Sequence, residues 1–294
     1  MMQFGSVSVI LSDPYMSEIL ARAVTVGVLV SLCASLLGVT LVLKRYSMIG
    51  DGLSHVGFGA LAIATALNLS NASMAVSLPV VLVAAFLLMG TAFRRKIQGD
   101  AAIAVLSTGA IAVGTLLFRF SKNQYADICN SLFGTASMST LSKTDLWITV
   151  AVSIVVLALF VLFYTRIFSV TFDESFAKAT GIRVGFYGML LAALTAVTVV
   201  IGMKMVGAIM VSGLIIFPAL SAMRIVKRFS AVVITSAALS LVCFFIGFAL
   251  SLVLDAQPGP AIITVHVCVF LLCTLIGWIK NRVKAVNSKK IVVE

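Results

Sequence analysis

Apolar runs long enough to cross a lipid bilayer recur along the whole sequence. A helix needs about 20 mostly apolar residues to span ~30 Å of hydrocarbon. Runs close to that length occupy residues 19–43, 52–68, 73–93, 101–118, 146–165, 184–203, 205–223, 229–254 and 258–279. With 61% hydrophobic and 11% charged residues, the chain cannot cover itself with a polar surface. The sequence predicts one domain over residues 1–294, an all-α polytopic transmembrane helical bundle of about nine spans.

Counts of eight to ten spans also fit, because two boundaries are ambiguous. The second and third runs are separated only by residues 68–71, Asn-Leu-Ser-Asn, which is typical of a turn. The sixth and seventh are separated only by Lys204 and Gly207, so a broken or re-entrant helix fits equally well.

The distribution of basic residues orients the predicted bundle. With the N-terminus outside, only five of the 21 Lys and Arg residues fall in outer segments. Because cytoplasmic loops are enriched in Lys and Arg, this orientation is favoured, with the C-terminus and its basic tail, residues 281–294, inside. Basic loops beside anionic lipid explain the formal net charge of +11, so we expect membrane lipid and no nucleic acid as a partner.

One carboxylate and one imidazole stand at the start of the second apolar run. Asp51 and His55 are four residues apart, so on a helix they share a face, with Cβ atoms about 6 Å apart. Oxygen and nitrogen ligands suit a divalent transition metal, and ionisable groups in a membrane mostly face a bundle interior or a cavity. We predict that the pair lines a metal path. The alternative is that Asp51 caps the helix and His55 bonds a hydroxyl group.

Small residues around this pair support the metal path. Gly52, Gly57 and Gly59 would let other helices approach closely, and Ser54 would add a hydroxyl ligand.

Two polar residues near the C-terminus are left out of the site. His266 lies within the last apolar run and is expected to bond a backbone or hydroxyl group, while Asp255 lies in an outer Pro- and Gly-containing turn and is expected to be solvated.

Residues 166–183, RIFSVTFDESFAKATGIR, predict a short amphipathic helix in a cytoplasmic loop. Thr171 or Asp173 would cap it, and Gly181 would end it. Its acidic pair Asp173 and Glu174 disfavours a lipid surface, since interfacial helices carry Lys and Arg on their polar face. The Asn- and Ser-rich segment 119–145 is expected to be an outer loop.

The sequence lacks the common nucleotide-binding and hydrolase motifs. No GxxxxGK[ST] loop, HExxH or GxSxG pattern occurs, so the chain is neither an ATPase nor a recognisable enzyme. A secondary transporter usually carries several intramembrane charges, and few occur here. Three classes remain: a permease driven by another subunit, a self-sufficient secondary metal transporter, and a membrane scaffold.

Five segments together resemble the permease subunit of the zinc and manganese ABC importer family. They are LVLKRYSMIGDGLSHVGFGALAIA, SLFGTASMSTLSKTDLW, DESFAKATGIR, MVGAIMVSGLIIFPALSA and LDAQPGPAII. The resemblance implies a homodimer with the path between the copies, a cytoplasmic ATP-binding subunit below each, and an extracytoplasmic metal-binding protein. It also implies Zn²⁺ or Mn²⁺ as cargo, ATP used by the partner, no permanently bound cofactor, and a place in the cytoplasmic membrane of a bacterium.

The same resemblance assigns roles to individual residues. Asp51 and His55 match the family's pathway metal positions, and the segment GDGLSHVGFG is closer to zinc-type members, with manganese or iron as alternatives. The cytoplasmic coupling helix, which contacts the ATP-binding subunit, matches Asp173, Glu174, Phe176, Ala177, Thr180 and Gly181. One departure stands out: aligned on Gly181, the general importer pattern EAAxxxG puts its glutamate at Ser175, so Glu174 comes one position early.

The charge distribution generates a topology prediction. In a variant without native cysteines, single cysteines at Ser288 and Lys178 should react with an impermeant thiol reagent only from the cytoplasm, and one at Gln124 only from outside. Labelling of position 178 from outside would overturn the orientation.

Overall fold

The described part of the chain is entirely helical. The computed structural model describes residues 14–67, 69, 73–94, 99–119, 132 and 143–291. Within them lie eleven helices: α1 (Pro14–Leu43), α2 (Ile49–Ala66), α3 (Ser73–Arg94), α4 (Gly99–Phe118), α5 (Lys143–Leu162), α6 (Tyr164–Phe172), α7 (Glu174–Ala179), α8 (Val184–Val206), α9 (Ala208–Ile225), α10 (Phe229–Leu254) and α11 (Pro258–Ile291). The predicted turn at 68–71 and outer loop at 119–145 lie almost entirely outside the described residues.

The predicted all-α class is confirmed, and part of the span count is supported. Five helical stretches are long and apolar enough to cross a membrane: Ser17–Leu43, Ala101–Phe118, Val184–Met203, Phe229–Leu254 and Pro258–Ile279. A sixth exists if the bent pair Leu146–Leu162 and Tyr164–Phe172 is one span. Met74–Leu88 and Met210–Ile225 are apolar but shorter. About nine spans remains a prediction.

Helix α1 lies at the centre of the bundle, where it packs against α5, α8, α9 and α10. Its contact with α10 contains buried serines. The hydroxyl oxygens of Ser31 and Ser240 lie 2.6 Å apart, and Ser240 Oγ also donates to the Ser31 carbonyl at 3.1 Å. Small hydroxyl residues let helices approach closely and hydrogen-bond where water is absent. The two helices are therefore joined by polar as well as apolar contacts.

A single residue separates α8 from α9. Gly207 has φ 90° and ψ 158°, and its N–H donates to the Met203 carbonyl at 3.0 Å. A side chain is strained at such a positive φ, which explains a glycine at this position. The break predicted between the sixth and seventh apolar runs is therefore at Gly207, and Lys204 belongs to α8.

The short helix predicted within residues 166–183 is α7, and the helix α6 directly before it was not predicted. α5 and α6 meet at a 66° bend, and α6 ends at Phe172. Asp173 has an extended backbone, and its Oδ1 accepts hydrogen bonds from the Ser175 and Phe176 N–H groups, each at 2.9 Å. This bonding caps α7. Thr171, the other predicted cap, instead donates to the Ile167 carbonyl within α6.

Helix α7 ends in a left-handed turn, as predicted from Gly181. Gly181 has φ 80° and donates to the Lys178 carbonyl at 3.1 Å, and Ile182 N–H donates to the Ala177 carbonyl at 2.9 Å. This pair of bonds forms a Schellman motif, which satisfies the last carbonyl groups of a helix. The Ile182 side chain packs against buried Ala177 and Val184. The turn thus ties α7 to the start of α8.

This turn generates a stability prediction with a matched control. A Cβ at Gly181 or at Gly185 would meet no atom within 4 Å, but only Gly181 has a positive φ. Gly181→Ala should cost about 1–2 kcal/mol locally, and so speed amide hydrogen exchange in α7 roughly 5- to 30-fold. Gly185→Ala should not, because alanine favours helix. Equal exchange in the two variants would contradict the strained turn.

Candidate metal site and cytoplasmic helix

A tight turn joins α1 to α2 and positions the candidate metal ligands. Arg45 has a left-handed backbone, with φ 61°. Its N–H donates to the Val42 carbonyl at 3.1 Å, and Tyr46 N–H donates to the Leu41 carbonyl at 2.9 Å, forming a second Schellman motif. Ile49 N–H then donates to the Tyr46 carbonyl at 3.0 Å where α2 begins. The start of α2 is therefore held in a fixed relation to the end of α1.

Asp51 and His55 lie side by side on the first two turns of α2. Asp51 Oδ1 and His55 Nε2 are 3.6 Å apart, so the predicted convergence of the two side chains is confirmed. His55 Nδ1 is buried and has no hydrogen-bond partner, so the alternative that this atom bonds a hydroxyl is wrong. Asp51 does not cap α2 either, because Met48 is the N-cap and no side chain bonds there. Among the described residues, the contact of these two side chains is with each other.

The pair occupies the exposed side of an otherwise buried helix segment. From Ile49 to Ala60, every residue except Asp51 and His55 is buried. The Asp51 side chain is 31% exposed and the His55 side chain 14% exposed. Asp51 and His55 therefore lie on the least covered side of this helix segment.

Glycines produce this burial by bringing other helices against α2. A Cβ at Gly52 would lie 2.7 Å from Ile103 Cγ2 of α4, and one at Gly57 would clash with the Met203 thioether of α8. On the α4 side, a Cβ at Gly59 would lie 3.0 Å from the Ala110 carbonyl oxygen, which is tighter than an ordinary contact. The close approach predicted from these glycines is confirmed.

A single chain supplies only two ligands at this point. No cluster of three or more His, Cys, Asp or Glu side chains capable of holding a metal occurs among the described residues. Ser54 does not add its hydroxyl, contrary to our expectation, since it is fully buried and its Oγ donates to the Asp51 carbonyl at 2.7 Å. An oxygen and a nitrogen alone leave most of a metal's coordination to other groups.

The six residues assigned to the predicted coupling helix include residues that cap it, residues buried in the chain and residues on the surface. Asp173 caps α7 and Gly181 ends it, while the Thr180 hydroxyl donates to the Phe176 and Ala177 carbonyls at 3.1 and 3.0 Å. Ala177 is fully buried within its own chain, and Phe176 is 61% exposed. Of the two, only Phe176 has its side chain on the surface of the chain.

Glu174 has a contact that local sequence reasoning missed. Its Oε1 accepts a hydrogen bond from Lys44 Nζ at 3.1 Å. The two residues are 130 positions apart, so no local periodicity or spacing signals the pairing. In the sequence, Lys44 is recognised only as one of many cytoplasmic basic residues.

The two polar residues left out of the site have structural roles. His266 is 2% exposed, and its Nδ1 lies 2.9 Å from the Ile262 carbonyl, which confirms the predicted backbone bond. Asp255 follows α10 with a left-handed backbone, φ 50°, and its exposed side chain agrees with the predicted turn.

Two membrane proteins named for metal transport are similar in sequence to most of this chain. The manganese transport system membrane protein MntC of Halalkalibacterium halodurans is 28% identical over 254 residues, covering 86% of this chain and 85% of that protein. The high-affinity zinc uptake system membrane protein ZnuB of Haemophilus influenzae is 30% identical over 261 residues, covering 87% and 97%.

A solved structure and a family model also match most of this chain. PsaBC from Streptococcus pneumoniae in complex with Fab has a similar fold, with a TM-score of 0.79 and 24% identity over 92% of this chain and 95% of that chain. Residues 16–277 match the model described as the ABC 3 transport family. Because that match covers most of the sequence, the chain belongs to the ABC 3 transport family.

Proposed function

We propose that the chain is the permease subunit of an ABC importer that moves a divalent transition metal across the cytoplasmic membrane of a bacterium. Zinc is the proposed cargo, and manganese is the alternative. The observation that carries the proposal is the exposure of Asp51 and His55 on a helix segment that is otherwise buried. Ionisable groups in a membrane face a bundle interior or a solvated cavity, so this face needs a second surface opposite it.

A homodimer supplies that surface. Two copies facing each other through α2 would bring together two carboxylates and two imidazoles, which is the number of ligands that tetrahedral zinc takes. Imidazole suits zinc better than manganese, which prefers oxygen ligands. The donor set therefore supports zinc, although relatives named for each metal match this chain. A path site must also release its ion, and ligands shared between two chains can separate.

Two further proteins complete the proposal. The sequence has no nucleotide-binding motif, so a cytoplasmic ATP-binding subunit must supply the energy. We place its contact at α7, where Phe176 is 61% exposed beside the buried Ala177. An extracytoplasmic metal-binding protein would deliver the ion at the opposite face.

The first prediction tests the metal ligands. Asp51→Asn and His55→Ala should each reduce zinc uptake to background in cells or reconstituted vesicles, because each removes an ion-binding atom. Asp255→Asn is the matched control: Asp255 is exposed, and asparagine tolerates its left-handed backbone, so uptake should persist. Expression level and co-purification of the ATP-binding subunit should match wild type in all three. Uptake at the wild-type rate in both site variants would overturn the site assignment.

A second prediction tests the shared path. In a dimer with two different affinity tags, one wild-type copy beside one His55→Ala copy should transport at well below half the wild-type rate, because each ion needs ligands from both chains. Competition by manganese in the same assay should be weaker than competition by unlabelled zinc. Half-maximal transport by the mixed dimer would show that each chain holds its own complete path.

A third prediction tests the contact at α7. Phe176→Ala should weaken binding of the ATP-binding subunit by roughly 30-fold, the effect of losing about 2 kcal/mol at a buried aromatic anchor. Phe245→Ala is the control, since Phe245 is 51% exposed on the apolar helix α10. Binding is measured by titrating the purified subunit. Equal affinity of both variants and wild type would place the contact elsewhere.

A further inference from the structure

Lys44 carries a buried charge whose partner belongs to the cytoplasmic helix. The Lys44 side chain is 6% exposed, and the Glu174 side chain is 44% exposed, with Nζ and Oε1 3.1 Å apart. A buried ammonium group without a partner is strongly destabilising, whereas a close carboxylate offsets its loss of hydration. Among the described residues, the only ion pair recorded for Lys44 is with Glu174.

Both ends of this pair are held in rigid local structure. Lys44 lies in the Schellman turn after α1, and its own N–H donates to the Thr40 carbonyl at 3.0 Å. Along the chain, this turn leads directly into α2 and Asp51. Glu174 is the first residue of α7, next to the Asp173 cap. No long side chain or loop therefore separates this ion pair from α2 on one side or from α7 on the other.

Tyr46 lies in the same turn, two residues after Lys44. Burial, and in second place the charge of Glu174, raise the pKa of the Tyr46 phenol above its usual range. The charge of Glu174 thus acts on a second residue of the turn. Apart from this contact, α7 packs mainly against α6 and α8.

We propose that the Lys44–Glu174 ion pair transmits movement of α7 to the helix that carries Asp51 and His55. Glu174 is then a positioning residue that acts inside its own chain, instead of contacting the ATP-binding subunit. This inference rests on the proposed function, because it assigns α7 to that subunit's contact. It also accounts for the position of Glu174, one residue before the glutamate of the general importer pattern.

The first experiment measures zinc imported per ATP hydrolysed in vesicles containing the full complex. Glu174→Gln and Lys44→Met should each lower this ratio at least fivefold, and the double variant should be no worse than either, since both changes break one contact. Glu174→Gln leaves the buried Lys44 ammonium without a carboxylate, which destabilises the fold. Lys44→Met removes that charge and keeps the buried apolar stem, so it breaks the same contact without this destabilisation. Glu18→Gln, which removes the carboxylate paired with Arg22 in α1, is the control and should leave the ratio unchanged.

Charge reversal distinguishes transmission from simple stabilisation. Lys44→Glu combined with Glu174→Lys should restore at least half of the wild-type ratio, while either reversal alone should not. If the pair only stabilises the fold, the variants will lower the amount of protein and leave the ratio of zinc to ATP unchanged. That result would overturn the proposal. Loss of the ATP-binding subunit from Glu174→Gln during purification would also overturn it, because Glu174 would then be part of that interface.

A second readout does not depend on the cargo. In the complex, ATP with vanadate should change amide hydrogen exchange in residues 44–55 of wild type, and Glu174→Gln should abolish the change. If wild type imports neither zinc nor manganese, the proposed function fails, and this measurement still decides the ion pair. An unchanged nucleotide response in Glu174→Gln would refute the transmission.

Discussion

The close packing of α2 is the constraint on which the candidate site depends. Glycines at positions such as Gly52 and Gly57 remove the side chains that would hold α4 and α8 away. The neighbouring helices therefore cover the first three turns of α2 on all sides but one. Only Asp51 and His55 remain uncovered in that stretch. In a membrane, a partly exposed carboxylate and imidazole require a polar surface opposite them, which the proposed second copy would supply.

The ends of α1 and α7 are organised by two left-handed turns. Gly181 adopts this conformation at no steric cost, whereas Arg45 does so at a cost of roughly 1–2 kcal/mol, offset by the hydrogen bonds of its turn. Each turn satisfies carbonyl groups that a helix end leaves unpaired. Together they place Lys44 and Glu174 within hydrogen-bond distance. In the proposed mechanism, these rigid helix ends and one buried charge form a short route from α7 to the candidate metal ligands.

Local features of the candidate site were predictable because their causes lie within a few residues. The spacing of Asp51 and His55 places them on one helix face, and the structure has their side chains adjacent. The end of α7 at Gly181 followed from the same kind of reasoning. The Ser54 prediction was wrong because a serine in a helix can donate to the backbone one turn earlier. The short helix capped by Asp173 was also predicted, whereas helix α6, which ends directly before Asp173, was not.

The sequence by itself determined that the chain is a helical membrane protein and that a carboxylate and an imidazole share one face of a helix. Both depend on apolar content and helical periodicity, which are local. Only the tertiary structure decided that this face is uncovered, that Ala177 points inward while Phe176 points outward, and that Lys44 meets Glu174. These properties depend on which helices pack together, and contacts between residues 130 positions apart leave no periodic trace in the sequence.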